Sequence, residues 1–77
     1  MEGLYKILSE IRPEYDFKKS DNFIDDEFLD SFDIIALISE IEKQYNISID
    51  AMDIIPENFE TIDSIVILIE KSGGQVK

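Results

Sequence analysis

A small all-α bundle, with three main helices and one short one, is the fold the sequence predicts, and three observations carry it. Apolar residues return at helical spacing in three separate stretches. Residues that start or stop helices stand at the ends of those stretches. The only partial alternation, Ile47 and Ile49 within residues 46–55, is too short to matter: a single strand without a partner has nothing to pair with, so this segment reads as extended loop.

In the first stretch Leu4, Ile7, Leu8 and Ile11 form one face of an amphipathic helix over about residues 2–12. Pro13 stops it and pushes Arg12 out of helical geometry. Residues 13–30 show no sustained period, and a connection this long is often functional. Tyr15, Phe17, Phe23, Ile24 and Phe28 are its candidates for tacking it to a core. The helical period returns at Ser31 and runs to Tyr45, with Ile34, Ile38, Ile41 and Tyr45 as the stripe, widened by Ile35 and Leu37. Asn46 suits a left-handed stop, and Lys43 suits the last turn. Pro56 fits the first position of a short helical turn reaching Glu60, with Phe59 facing inward. Thr61 is a good N-cap for the last helix, where Ile62, Ile65, Val66 and Ile69 repeat the stripe and Gly73 ends it. Each main helix is too short to stand alone in water, so all must share one core.

The totals narrow the function. Seventy-seven residues make a single domain, expected over 1–72, with 73–77 as a flexible tail. A thin core supports a stability of roughly 5 kcal/mol. No apolar run approaches membrane-spanning length and no signal peptide is evident, so the chain is expected to be soluble, cytoplasmic and not inserted in a membrane. Cysteine and histidine are both absent, which removes the thiolate nucleophile, the usual general base and the commonest metal ligands. Eighteen acidic against seven basic residues give a net charge of −11. Nucleic acid is a poor partner for such a chain, and basic protein surfaces are good ones. The acids between Asp21 and Asp33 contain no glycine and do not follow the spacing of a calcium-binding loop, so no specific metal site is expected.

The stretch Phe28-Leu29-Asp30-Ser31-Phe32-Asp33 then raises its own question. Asp30 is a good N-cap, and Asp33 three residues later makes a weak capping box, which leaves Ser31 an ordinary first-turn residue. Yet Ser31 stands at the positive end of a helix, where a phosphate is welcome, after a long acidic and aromatic loop. Phe28, Leu29 and Phe32 are expected to crowd this exposed end. Ser64, in the second Asp-Ser pair, has no such setting and reads as a first-turn helix residue behind Thr61.

Here the residues resemble a known family. The string from Asn22 to Tyr45, NFIDDEFLDSFDIIALISEIEKQY, resembles the phosphopantetheine attachment region of acyl carrier proteins and related carrier domains, and the order of helices is similar over nearly the whole chain. The resemblance implies an acyl-carrier-like bundle and a 4′-phosphopantetheine arm on Ser31, made from coenzyme A by a separate phosphopantetheinyl transferase with magnesium. It implies a non-catalytic, monomeric carrier that holds an acyl or aminoacyl group as a thioester. A loading ligase and downstream transferases with basic surfaces would then act on it. The missing cysteine fits, because the thiol arrives on the arm.

Phe28-Leu29-Asp30-Ser31-Phe32 and the long connection from Tyr45 to Thr61 are similar to discrete D-alanyl carriers, while Asp33 stands where those usually have glycine and resembles fatty-acid carriers. Glu27 stands where carriers commonly have glycine, and Ala36 where fatty-acid carriers often have glutamate. The resemblance makes the second helix the partner face: Asp30, Phe32, Asp33, Glu40 and Glu42 would meet partners, though Glu40 and Glu42 serve equally well as a solvated face. It also implies an acyl pocket between the second helix and the short one, with Ile38, Ile54 and Ile62 as candidate lining; plain core packing is the alternative for each. The competing function is an acidic helical adaptor or inhibitor without a prosthetic group, which would not need Ser31.

Overall fold

The computed structural model describes residues 2–76. Met1 and Lys77, the outer ends of the expected domain and tail, lie outside the described residues. Three α-helices form: α1 over Glu2–Ile11, α2 over Ser31–Tyr45 and α3 over Ile62–Lys71. Short 3-10 turns at Phe17–Lys19, Ala51–Asp53 and Pro56–Phe59 punctuate the connections, and no strand occurs among the described residues. The all-α bundle of three main helices and a short one is what the stripes imply; the short element is 3-10 rather than α.

Each helix end follows local chemistry. The N–H of Arg12 still bonds to Leu8 O (2.9 Å), but Pro13 ends α1 there. Asn46 closes α2 in the left-handed conformation (φ 54°, ψ 50°), and the N–H of Ile47 reaches back to Glu42 O at 3.2 Å. Thr61 caps α3, its Oγ1 accepting the N–H of Ser64 at 3.0 Å. At the other end Gly73 turns with φ 99°, its N–H on Glu70 O (3.1 Å) and that of Gly74 on Ile69 O (2.9 Å), the paired bonds of a Schellman stop. Val76 lies partly buried against the core.

The helices supply nine core side chains in three matched sets: Leu4, Ile7 and Leu8; Leu37, Ile38 and Ile41; Ile65, Leu68 and Ile69. The α2 stripe is narrower than its sequence suggests. Ile34 is half-buried and Ile35 is 64% exposed, because the fully buried face of α2 begins with Leu37 in its second turn.

The long connection from Arg12 to Asp30 is folded onto the bundle by aromatic rings. Phe17 and Phe23 are buried, Tyr15 stacks on Phe28 with centroids 4.4 Å apart, and Phe17 meets Phe23 and Phe28 edge-on at 5.1 and 5.4 Å. Its backbone is satisfied in turns: Asn22 Oδ1 accepts the N–H groups of Ile24 and Asp25 (3.0 and 2.9 Å), and the Phe23 N–H bonds to Glu60 O at 2.7 Å. The radius of gyration, 11.2 Å, is close to the roughly 11.5 Å of a compact domain this long, so the connection adds no loose excursion. Residues 46–55 differ from a plain extended loop: Asp50 Oδ1 accepts the Met52 N–H at 2.9 Å and winds Ala51–Asp53 into a 3-10 turn.

Glu27 adopts φ 60°, a left-handed backbone without the side chain suited to it. That conformation costs an L-residue about 1–2 kcal/mol, while glycine loses roughly 0.5–1 kcal/mol more chain entropy on folding. Glu27→Gly is therefore expected to stabilise the domain by about 0.5–1 kcal/mol in a thermal melt. A lower melting temperature for the glycine variant would show that the glutamate side chain contributes more than its backbone costs.

Candidate functional site

Ser31 is the first residue of α2 and is exposed. The work of capping falls on its neighbours. Asp30 Oδ1 accepts the Asp33 N–H at 2.9 Å, and Asp33 Oδ2 accepts the Asp30 N–H at 3.1 Å, a full reciprocal capping box. The Ser31 hydroxyl is thus not needed to close the helix end. Ser64 contrasts with it: half-buried, its Oγ lies 2.9 Å from Thr61 Oγ1 inside the α3 cap.

Arg12 joins this corner from the end of α1. Its Nε donates to Asp33 Oδ2 at 2.8 Å, and its Nη2 donates to Asp30 Oδ2 at 3.3 Å; Nη1 reaches Glu14 at 3.4 Å. The Asp33 side chain is only 12% exposed, whereas that of Asp30 is 57% exposed. The bond from the Asp33 N–H, helped by the Arg12 charge, outweighs partial desolvation and holds the Asp30 carboxyl below its ordinary value of 3.8.

The candidate partner residues separate on this geometry. Phe32 is 81% exposed beside Ser31, and Glu40 is exposed farther along α2. Asp33 is occupied by the capping box and Arg12. Glu42 is half-buried and accepts the Ile49 N–H at 2.8 Å, so it clasps the loop after α2. Phe28 and Leu29 do not crowd an exposed end as expected: Leu29 is buried in the core and Phe28 lies on Tyr15.

An open cleft of about 230 Å³ begins at Ser31. Ile34 and Ile35 line its α2 side, and Ile54, Ile55 and Pro56 line the side facing them. The cleft lies between α2 and the Pro56–Phe59 turn, and of the three candidate residues Ile54 lines it. Ile38, 8% exposed, belongs to the core, and Ile62 packs partly against it at the start of α3. Ile34, Ile35, Ile55 and Pro56 were not singled out as lining. For Ile35 the signal was its place one residue off the buried α2 stripe.

The domain offers an exposed serine at a helix start beside an apolar cleft. Residues 3–69 match the family described as Phosphopantetheine attachment site, and the chain belongs to that family. Its prosthetic group is covalently attached 4′-phosphopantetheine. Over 50 residues the chain is 42% identical to the acyl carrier protein of Phytoplasma australiense, a stretch that covers 65% of this chain and 63% of that relative. No solved structure matches the chain. The residues present fit the group: a hydroxyl exposed at a helix start, with an apolar cleft adjoining it.

The lowered Asp30 pKa sets a pH dependence. A carboxylate whose folded pKa lies below its unfolded value stabilises the fold above the unfolded value, and that contribution is lost as pH falls through the folded one. Asparagine caps nearly as well but does not titrate. The melting-temperature difference between the parent and Asp30→Asn should therefore be constant near neutrality and should shift against the parent as pH drops below 3.8. A difference that stays flat down to full protonation would mean the box does not favour the charged form.

Proposed function

We propose that this chain is a carrier domain that holds its prosthetic arm on Ser31. The observation that carries the reading is the division of labour at the α2 start: Asp30 and Asp33 close the helix, and Ser31 stands exposed and lines the cleft. In the modification Ser31 Oγ forms a bond to the pantetheine-side phosphorus of coenzyme A, the diphosphate P–O bond breaks, and adenosine 3′,5′-bisphosphate leaves. The hydroxyl proton passes to a base of the transferase, since the chain has no histidine to take it. When bound, the arm supplies a thiol for a thioester link to the carried group.

The rest of the chemistry belongs to partners: a phosphopantetheinyl transferase, a loading ligase and downstream transferases. Asp30, Phe32 and Glu40 form an exposed acidic and apolar face that fits basic partner surfaces with an apolar pocket. For the carried group, the cleft favours an apolar acyl chain over D-alanine. Four isoleucine and proline side chains besides Ile54 and the Ser31 position line it, with no acid to receive an ammonium.

Two measurements test the reading. Incubation with coenzyme A, magnesium and a broad-specificity transferase should add the phosphopantetheine mass to the parent and to Ser64→Ala but not to Ser31→Ala. Undiminished modification of Ser31→Ala moves the site elsewhere. For the cargo, octanoyl and D-alanyl forms should melt apart. Each buried methylene contributes about 0.8 kcal/mol, and 1 kcal/mol moves the melting point of a domain this size by about 4–8 °C. A rise of several degrees for octanoyl alone is expected; equal melting points would leave the cleft without a role in holding cargo.

A further inference from the structure

We propose that Arg12 is a positioning residue for Ser31, a role that rests on the assignment of the arm to that serine. One guanidinium touches both carboxylates that flank the serine: Nε on Asp33 Oδ2 at 2.8 Å and Nη2 on Asp30 Oδ2 at 3.3 Å. Those same carboxylates make the capping box, with Asp33 Oδ2 accepting the Asp30 N–H and the Arg12 Nε–H together. The serine is thus carried on a backbone segment whose two ends are held by one cation from just beyond α1.

The geometry needs an arginine at the end of α1. Arg12 leaves the helix because Pro13 follows it, yet its N–H stays bonded to Leu8 O, so its backbone is fixed while its side chain crosses to α2. Its planar fork spans two acceptors on different residues; an ammonium is a point charge and holds them less well. Asp33 is nearly covered, so loss of the cation leaves a poorly solvated carboxylate facing Asp30 and loosens the box. The α2 first turn has only partial support from the core, since Phe32 and Ile35 are exposed and Ile34 is half-buried against it.

Positioning and simple electrostatics predict opposite results. A basic transferase is drawn to acids, so Arg12 opposes docking by its charge. If charge were all, Arg12→Gln would lower the apparent KM for the carrier and leave the saturating rate unchanged or faster. Positioning predicts a saturating modification rate down about tenfold, because misplaced nucleophiles react slowly even when bound. A merely less stable carrier would act through the folded fraction, raising the apparent KM.

The experiment measures phosphopantetheine transfer by intact mass over a range of carrier concentrations for the parent, Arg12→Gln and Arg12→Lys, each checked for helicity. Amide hydrogen exchange at Asp30 and Asp33 is followed in the same proteins without the transferase. The expected result is a slower saturating rate in both variants, with Arg12→Lys between Arg12→Gln and the parent, and faster exchange at Asp30 and Asp33, whose N–H groups make the capping box. A parental saturating rate in a folded Arg12→Gln, or unchanged exchange there, overturns the inference. If Arg12→Gln does not fold, Arg12→Lys decides on the same two readouts. A parent that gains no mass at Ser31 removes the carrier assignment instead, and the exchange measurement still reports whether Arg12 holds the α2 start.

Discussion

Phe23 is the constraint on which the rest of the molecule hangs. Its side chain is almost wholly buried and meets Phe17 edge-on, its N–H bonds to Glu60 O, and its carbonyl accepts the N–H groups of Phe28 and Leu29. One residue therefore ties the long connection to the core, to the residue before the α3 cap, and to the chain just before α2. A connection of this length would otherwise lose much of its ordering to entropy. With Phe23 in place, Leu29 enters the core and Asp30 begins α2 at a defined point. The precision of the Ser31 corner begins with this aromatic pin, eight residues upstream of the serine.

Helices were legible in the sequence because their signals are local. Apolar spacing, Pro13, Asn46, Thr61 and Gly73 each act within a turn of where they stand, and each does in the structure what its chemistry requires. The different settings of Ser31 and Ser64 were legible for the same reason. What was not legible depends on residues far apart in the chain. The Arg12–Asp33 contact spans 21 positions, and a lone arginine before a proline carries no mark of its partner. The cleft lining failed similarly: Ile38 and Ile62 have the right hydrophobicity, but only packing decides that they turn inward while Ile35 and Ile55 turn outward. Leu29 looked like part of an exposed cluster because its two aromatic neighbours in sequence gave no clue to which of the three would be buried.

Scarcity of cations explains where the ion pairs stand. With seven basic residues against eighteen acids, most acids among the described residues form no ion pair, and apart from the local Arg12–Glu14 contact the pairs that form join elements rather than decorate single helices. Arg12 links the end of α1 to the start of α2; Lys18 Nζ reaches Glu2 at 3.0 Å and lies over the Tyr5 ring, holding the first 3-10 turn to α1; Lys71 Nζ reaches Asp53 at 2.9 Å, holding the end of α3 to the 51–53 turn. Exposed pairs of this kind contribute little energy singly. Their value here is geometric, because each closes a junction that the thin core does not reach. The Lys71–Asp53 junction stands next to Ile54 and Ile55, so the outer wall of the cleft is braced in the same manner as the Ser31 corner.

The acidity and the greasy face belong together. Phe32, Ile35 and Met52 are 81%, 64% and 86% exposed, with Ile54 and Ile55 partly open beside them. No core position remains for these side chains once three short helices have closed on one another, and the open cleft keeps them from covering one another. A domain with such a face tends to associate with its own copies. A net charge of −11 opposes that, since every copy carries the same sign, while leaving contact with a basic surface favourable. If Ser31 carries the arm, the same two properties that make the α2 start unattractive to another copy would favour an enzyme with lysines and arginines around an apolar pocket. On that assignment, acid composition is part of the site rather than a background to it: it would select which surfaces reach Ser31.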